Sequence, residues 1–222
     1  MNEFASLAVS DQSYECTITV DCAVFGFQDN QLRLLCVNRG VEPFKNMWQL
    51  PGGIMNADES LDEAANRVLY SLTDIKDIKH VQVGAYSHVD RHPIKRVVTV
   101  CFYALIKPEN HPIIAKKYVS DINWFAINEI PNMAFDHNQL ASDTHDKLRE
   151  NLKDKLIFGE MLPAEFTLKE LQDLYESILE QQLDRRNFRK SILQKGLIES
   201  TGKKKIGVKG GPELFRMKKN LA

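Results

Sequence analysis

Trp48-Gln49-Leu50-Pro51-Gly52-Gly53-Ile54-Met55-Asn56-Ala57-Asp58-Glu59-Ser60, running on through Arg67 to Ile75, is the stretch whose reading decides the fold. A double glycine permits backbone angles closed to other residues and lets the chain pass close to a ligand. The segment after it, roughly Ser60 to Thr73, carries Leu61, Ala64, Ala65, Val68, Leu69 and Leu72 on one helical stripe, which marks a core face. Glu59 stands at the mouth of this helix and Arg67 two turns in. Glu63 lies four residues before Arg67 and is expected to pair with it along the helix.

Gly53, five residues, Glu59, seven residues and Arg67 resemble the first half of the Nudix box of the Nudix hydrolases. In that family three further carboxylates follow the arginine on one helical face, where they hold Mg²⁺ beside a diphosphate. Here those positions are Val68, Ser71 and Leu72, and the closing glycine is Asp74. No catalytic residue, metal ligand or cofactor is therefore expected. The alternative is an active hydrolase of ADP-ribose or another nucleoside diphosphate, which needs substituted ligands.

Outward from the box, residues 14–27 and 32–38 read as two strands around an Asp29-Asn30 turn, with Arg39 at the end of the second. His80–Asp90 and Val97–Ile106 read as paired strands joined by Arg91-His92-Pro93-Ile94-Lys95-Arg96, a cationic rim suited to an anionic or polyhydroxyl ligand. Ile122–Phe125 gives another strand, and a helix capped by Ser142 is expected to run to about Leu156. The four cysteines sit singly in strand-like runs, as buried free thiols do in a reducing compartment. His88 and His92 are four apart but on no helix, so they form no zinc pair. There is no run of 18 apolar residues and no basic-then-apolar start in Met1–Ser13, so a cytoplasmic chain without a membrane segment is expected.

The net charge of −1 conceals an asymmetry. Residues 1–162 carry 16 basic and 22 acidic side chains, whereas Arg185 to Ala222 carry 12 basic and 2 acidic, the imprint of a surface that meets a polyanion. Beyond the short connector Phe158–Pro163, Thr167 and Glu170 form a capping box for one helix, and Asp184 caps a second, ended by Gly196. Phe188, Ile192 and Leu193 are expected to face inward on that second helix. Asn187, Lys190, Ser191 and Gln194 with Arg186 form the outward face, which can reach phosphates and base edges, and Arg189 is assigned to phosphate contact or packing. A hairpin with Lys203, Lys204, Lys205 and Lys209 at its tip resembles the wing of a winged helix.

Taken whole, the chain resembles the Nudix-related transcriptional regulators of the NrtR type (NAD metabolism) and the AraR type (sugar catabolism). The resemblance implies an α+β protein. A Nudix-fold α/β/α sandwich with a mixed sheet would occupy residues 1–158, and a small winged helix-turn-helix domain residues 159–222. It implies a homodimer, as a repressor on a double-stranded DNA operator, with a small effector in the old hydrolase pocket. Arg39, Trp48, Glu59, Arg67, Arg91 and Arg96 are the candidate effector-binding residues. Without metal ligands to hold a diphosphate, a sugar such as arabinose stacked on Trp48 is expected slightly ahead of an ADP-ribose-like nucleotide.

Overall fold

The computed structural model describes residues 15–76, 78–152 and 161–218. The expectations for Met1–Ser13, for Leu156, for the connector before Met161 and for a domain boundary at 158/159 lie outside those residues.

A long strand, β1 (Thr17–Gln28), forms the spine because its β-branched and aromatic run has apolar side chains on both faces. It turns at Asp29-Asn30, both at positive φ, into antiparallel β2 (Gln31–Arg39). On its other side it pairs in parallel with β6 (Val97–Ile106), followed by antiparallel β5 (His80–Tyr86). The short strands β3 (Trp48–Gln49) and β4 (Gly52–Ile54) and strand β7 (Val119–Ala126) complete a mixed seven-stranded sheet. Strand β5 ends four residues earlier than its sequence suggests, because Val89–Arg91 closes into a 3-10 turn.

Strand alternation sorts the core. Val20, Cys22 and Val24 face helix α1 (Leu61–Thr73) through Ala64, Ala65, Val68 and Leu69. Ala23 and Phe25 face helix α2 (His137–Asn151), and Asp21 shares their side of the sheet. Ser60 caps α1, and Glu63 returns its carboxylate to the Ser60 N–H and hydroxyl at 2.7 and 2.8 Å. The expected Glu63–Arg67 pair is thus absent: the capping box takes Glu63, and Arg67 turns to Glu59 instead. Helix α2 also departs from expectation, beginning at His137, so Ser142 lies inside it rather than at its cap. Its start is fixed from the loop before it, where Asn138 Oδ1 accepts from the Met133 N–H at 2.8 Å.

The second unit contains β8 (Phe166–Thr167), α3 (Leu168–Leu179), α4 (Arg185–Gln194), β9 (Ile198–Lys204) and β10 (Glu213–Met217), with strand order β8-β10-β9. Thr167 and Glu170 cap α3, Asp184 caps α4, and Gly196 follows α4 at φ 64°. Phe188 and Ile192 are buried, whereas Leu193 is 40% exposed, a correction to its inward assignment. One residue beyond Ile192 it is rotated about 100° around the helix, off the buried stripe. Leu171, Leu174 and Ile178 of α3 join Phe25 and Leu148 in one continuous apolar cluster, so the two units share a core. No helix among the described residues is long and apolar enough to cross a membrane.

Candidate functional site

A cavity of about 510 Å³ opens where β1, the double-glycine turn, the 91–97 segment and the start of α2 converge. Among its buried polar groups is Asp21, 5% exposed on the α2 side of β1. Thr99 Oγ1 donates to Asp21 Oδ2 at 2.7 Å, Arg91 Nη2 lies 3.7 Å from the same oxygen, and His137 Nε2 lies 3.7 Å from Oδ1. The adjacent glycine is required: a Cβ on Gly52 would stand 1.8 Å from Asp21 Oδ1.

Arg91 is held by a fork of two bonds, Nε to Asp136 Oδ2 at 2.9 Å and Nη2 to Oδ1 at 2.8 Å. Asp136 occupies the N-cap position of α2, yet its side chain makes no capping bond. Its carboxylate is given to Arg91 instead of to the helix. Next to it His137 accepts the Leu50 N–H at Nδ1, 3.0 Å, which leaves the proton on Nε2, facing Asp21.

The mouth is cationic and aromatic. Arg39 donates to the Pro43 carbonyl (2.8 Å) and to Gln49 Oε1 (2.7 Å), and its guanidinium lies 5.0 Å from the Phe135 ring centre. His92 stacks on the other ring partner of this group, Phe135, at 5.2 Å and 15°. Lys95 also lines the cavity and has no ion-pair partner among the described residues. Arg91 is matched by Asp21 and Asp136, whereas Arg39 and Lys95 make no ion pair among the described residues and give the wall a positive charge that attracts an anion.

Of the six effector candidates, Arg39 and Arg91 line this cavity, and the other four stand outside its wall. Trp48 is partly buried, packs edge-on against Phe125 at 4.9 Å and does not line the cavity, so it offers no stacking face to a ligand there. Arg67 binds Glu59 through two bonds, 2.7 and 2.5 Å, and the Ile54 carbonyl at 2.7 Å, a clasp between α1 and the loop after β4. These bonds hold the Glu59 carboxyl at about 2, far below the usual carboxylate range. Arg96 is spent on the Ser87 and His88 carbonyls at 2.8 and 3.1 Å.

Sequence reasoning passed over Asp21, Phe135, Asp136 and His137, whereas His92 and Lys95 of the expected rim do line the cavity. An available signal was Asp21 itself, an acid within an otherwise apolar strand.

The family's Mg²⁺ does not fit the box. Val68 is buried with Cγ2 3.0 Å from where a Gly53 Cβ would be, and the Ser71 hydroxyl donates to the Val68 carbonyl at 3.0 Å. Among the described residues no three His, Cys, Asp or Glu side chains group as a metal site.

Helix α2 also reaches the second unit. His145 Nε2 and Arg149 Nε both lie on the Ile178 carbonyl, at 2.8 and 3.1 Å, and Arg149 pairs with Glu180. Ile178 is in the last turn of α3, so two side chains of α2 satisfy one of the carbonyls a helix end leaves open. The Leu32 N–H donates to Ser177 Oγ, also in that turn, at 2.5 Å.

Burial lowers the pKa of His92, His137 and His145. A histidine whose folded pKa is depressed stabilises the fold fully above its unfolded value of about 6.5, and this is lost as pH falls below it. The urea midpoint should therefore drop between pH 7.5 and 5.5, with buried His137 contributing up to about 1.4 kcal/mol per pH unit. In His145→Gln the drop should be shallower.

On α4 the side chains of Arg186, Asn187, Arg189, Lys190, Ser191 and Gln194 are exposed. Arg186, Arg189 and Lys190 make no ion pair among the described residues. In the wing, Lys203 pairs with Glu165 at 2.7 Å and Lys205 with Glu170 at 2.6 Å, which leaves Lys204 and Lys209 without such a partner among those residues.

Comparisons with known proteins agree with this two-part layout. A NUDIX domain model matches residues 17–146, and a model of the NrtR DNA-binding winged helix domain matches residues 158–217. The chain is 31% identical over 209 residues to the ADPR responsive transcriptional repressor NtrR of Acinetobacter baylyi, covering 90% of this chain and 81% of that protein. It is 32% identical to Shewanella oneidensis NrtR in its crystal structure with a 27mer DNA, with a TM-score of 0.77 and coverage of 90% and 93%. The NUDIX domain of the Shewanella protein in complex with ADP ribose is 30% identical, with a TM-score of 0.57 and coverage of 67% and 99%. The expected sugar effector finds no support among them: the named ligand is ADP-ribose.

Proposed function

We propose, for a chain that belongs to the NrtR family of Nudix domains joined to a DNA-binding winged helix, that it is a transcriptional repressor released from its operator by ADP-ribose. The repressor acts in the cytoplasm as a homodimer, with one winged helix on each half of a two-fold site. Helix α2 carries this reading, since its first residue lines the cavity and its His145 and Arg149, roughly 12 to 18 Å along, hold α3.

The cavity chemistry favours ADP-ribose over arabinose. A diphosphate brings two negative charges to Arg39, Arg91 and Lys95, and Asp21 can accept from a ribose hydroxyl. A neutral pentose would leave Arg39 and Lys95 without a counter-charge. With Val68, Ser71 and Leu72 at the former ligand positions, the side chains rather than a metal ion hold the diphosphate, and the ligand leaves uncleaved.

The coupling follows from competition for Arg91. Asp136 has given up capping α2 in order to bind it. A phosphate that draws Arg91 away releases Asp136 to cap its own helix, which shifts the start of α2 and with it the bonds to Ile178.

Titration of ADP-ribose into the complex with a retained genomic duplex tests this by fluorescence anisotropy. ADP-ribose should displace the DNA, and at 100 times its Kd should add about 2.7 kcal/mol of stability to the free protein. Replacing Mg²⁺ with EDTA should leave both effects unchanged. A ligand that neither stabilises the protein nor displaces DNA overturns the reading, as does brisk turnover that EDTA abolishes.

A further inference from the structure

We propose that Ile206, at the tip of the wing, makes an apolar contact with DNA, entering the minor groove beside the major groove that α4 occupies and packing on its deoxyribose walls. This rests on the assignment of the winged helix as the DNA-binding unit.

The side chain is 96% exposed, and Val208 beside it is 47% exposed. Isolated exposed apolar residues need no explanation, but this one sits where turn chemistry calls for a polar residue. The loop that presents it is built. Its neck is closed by the Lys205 N–H to the Pro212 carbonyl at 2.8 Å, and its far side by Gly211 N–H to the Val208 carbonyl at 3.0 Å. Gly207 and Gly210, at φ 78° and 86°, allow the tight return.

Charge identifies the occupant. Ile206 is flanked in sequence by Lys204, Lys205 and Lys209, so a surface that buries it must be a polyanion with apolar recesses. Duplex DNA provides both, phosphates along the groove edges and sugars on its walls, and proteins bind the minor groove with apolar wedges beside basic side chains. The wing is also pre-set. Lys203 and Lys205 tie it to Glu165, next to β8, and to Glu170 at the start of α3. These contacts hold the wing against β8 and α3, and Lys204 and Lys209 remain for the phosphates. Strand β9, seven residues at about 3.3 Å each, is long enough to carry the tip past a phosphate ridge.

The test compares the full chain with Ile206→Ala, Ile206→Thr and Lys204→Ala on a genomic duplex that the parent retains at low salt, over a series of salt concentrations. Ile206→Ala should bind between about fivefold and fiftyfold more weakly with an unchanged salt slope, as expected for lost apolar burial. Ile206→Thr should fall between it and the parent, and both should melt at the parent's temperature. Lys204→Ala should instead make the slope shallower by about 0.9. Affinity within twofold of the parent in Ile206→Ala, or a slope that changes with it, overturns the inference. Failure of the parent itself to bind DNA removes the underlying assignment, a result that cannot be confused with either.

Discussion

Replacing Arg186 and Lys190 together with alanine is expected to weaken duplex binding by at least about thirtyfold and to make the salt dependence shallower by nearly two units of log-log slope. Both side chains are exposed on α4 and neither is engaged by an acid among the described residues, so their full charge is available to DNA. Each well-placed contact contributes about 1–3 kcal/mol, and two of them set the lower bound. The fold should not suffer, because the stripe that anchors α4 is Phe188 and Ile192, and the helix is capped by Asp184 accepting from Arg186 N–H and Asn187 N–H. These are backbone bonds that alanine retains. Anisotropy at several salt concentrations, with a melting curve for each variant, separates the outcomes. An unchanged affinity would make the second unit a protein-docking module, whereas a weaker affinity with an unchanged slope would mean that the two cations do not meet phosphates.

What the chain discloses before any coordinates depends on whether the information is local. The Gly53–Glu59–Arg67 spacing and the apolar stripe of α1 are consecutive in sequence, and together they identify the sheet domain. Capping boxes are local too, and the one at Thr167–Glu170 is present as read. The cavity is assembled from four distant pieces, and its members carry weak individual signals. Phe135 and His137 look like ordinary residues of a loop and a helix start until the chain brings them to Asp21 and Arg39. Trp48 misleads for the opposite reason: a large aromatic beside a double glycine invites a stacking role, but β3 pairs with β2 and turns the ring onto Phe125. The wing lysines make the same point about charge, since four within seven residues look equivalent, yet two of them are bound to glutamates of their own unit.

Arg91→Ala should cost the fold about 3 kcal/mol and abolish the response to ADP-ribose while leaving DNA binding in place. The guanidinium is buried between Asp21 and Asp136, and removing one partner of a buried charge pair leaves the other without compensation. The loss stops near the lower end of the usual 3–5 kcal/mol range for two reasons. Asp21 keeps its bond from Thr99, and Asp136 is partly exposed and free to turn back to its vacant role as cap of α2. For a chain of this length the melting temperature should fall by roughly 6–12 °C. Arg91→Lys retains the charge but not the fork, and should lose less stability than alanine while still losing selectivity for the diphosphate. A double-mutant cycle with Asp136→Ala measures the coupling directly, and an interaction of at least about 1 kcal/mol is expected. If instead the two substitutions add and ADP-ribose still displaces DNA from Arg91→Ala, the start of α2 is not the element through which the cavity reaches α3. His145 and Arg149 would then be interdomain glue without a signal to carry.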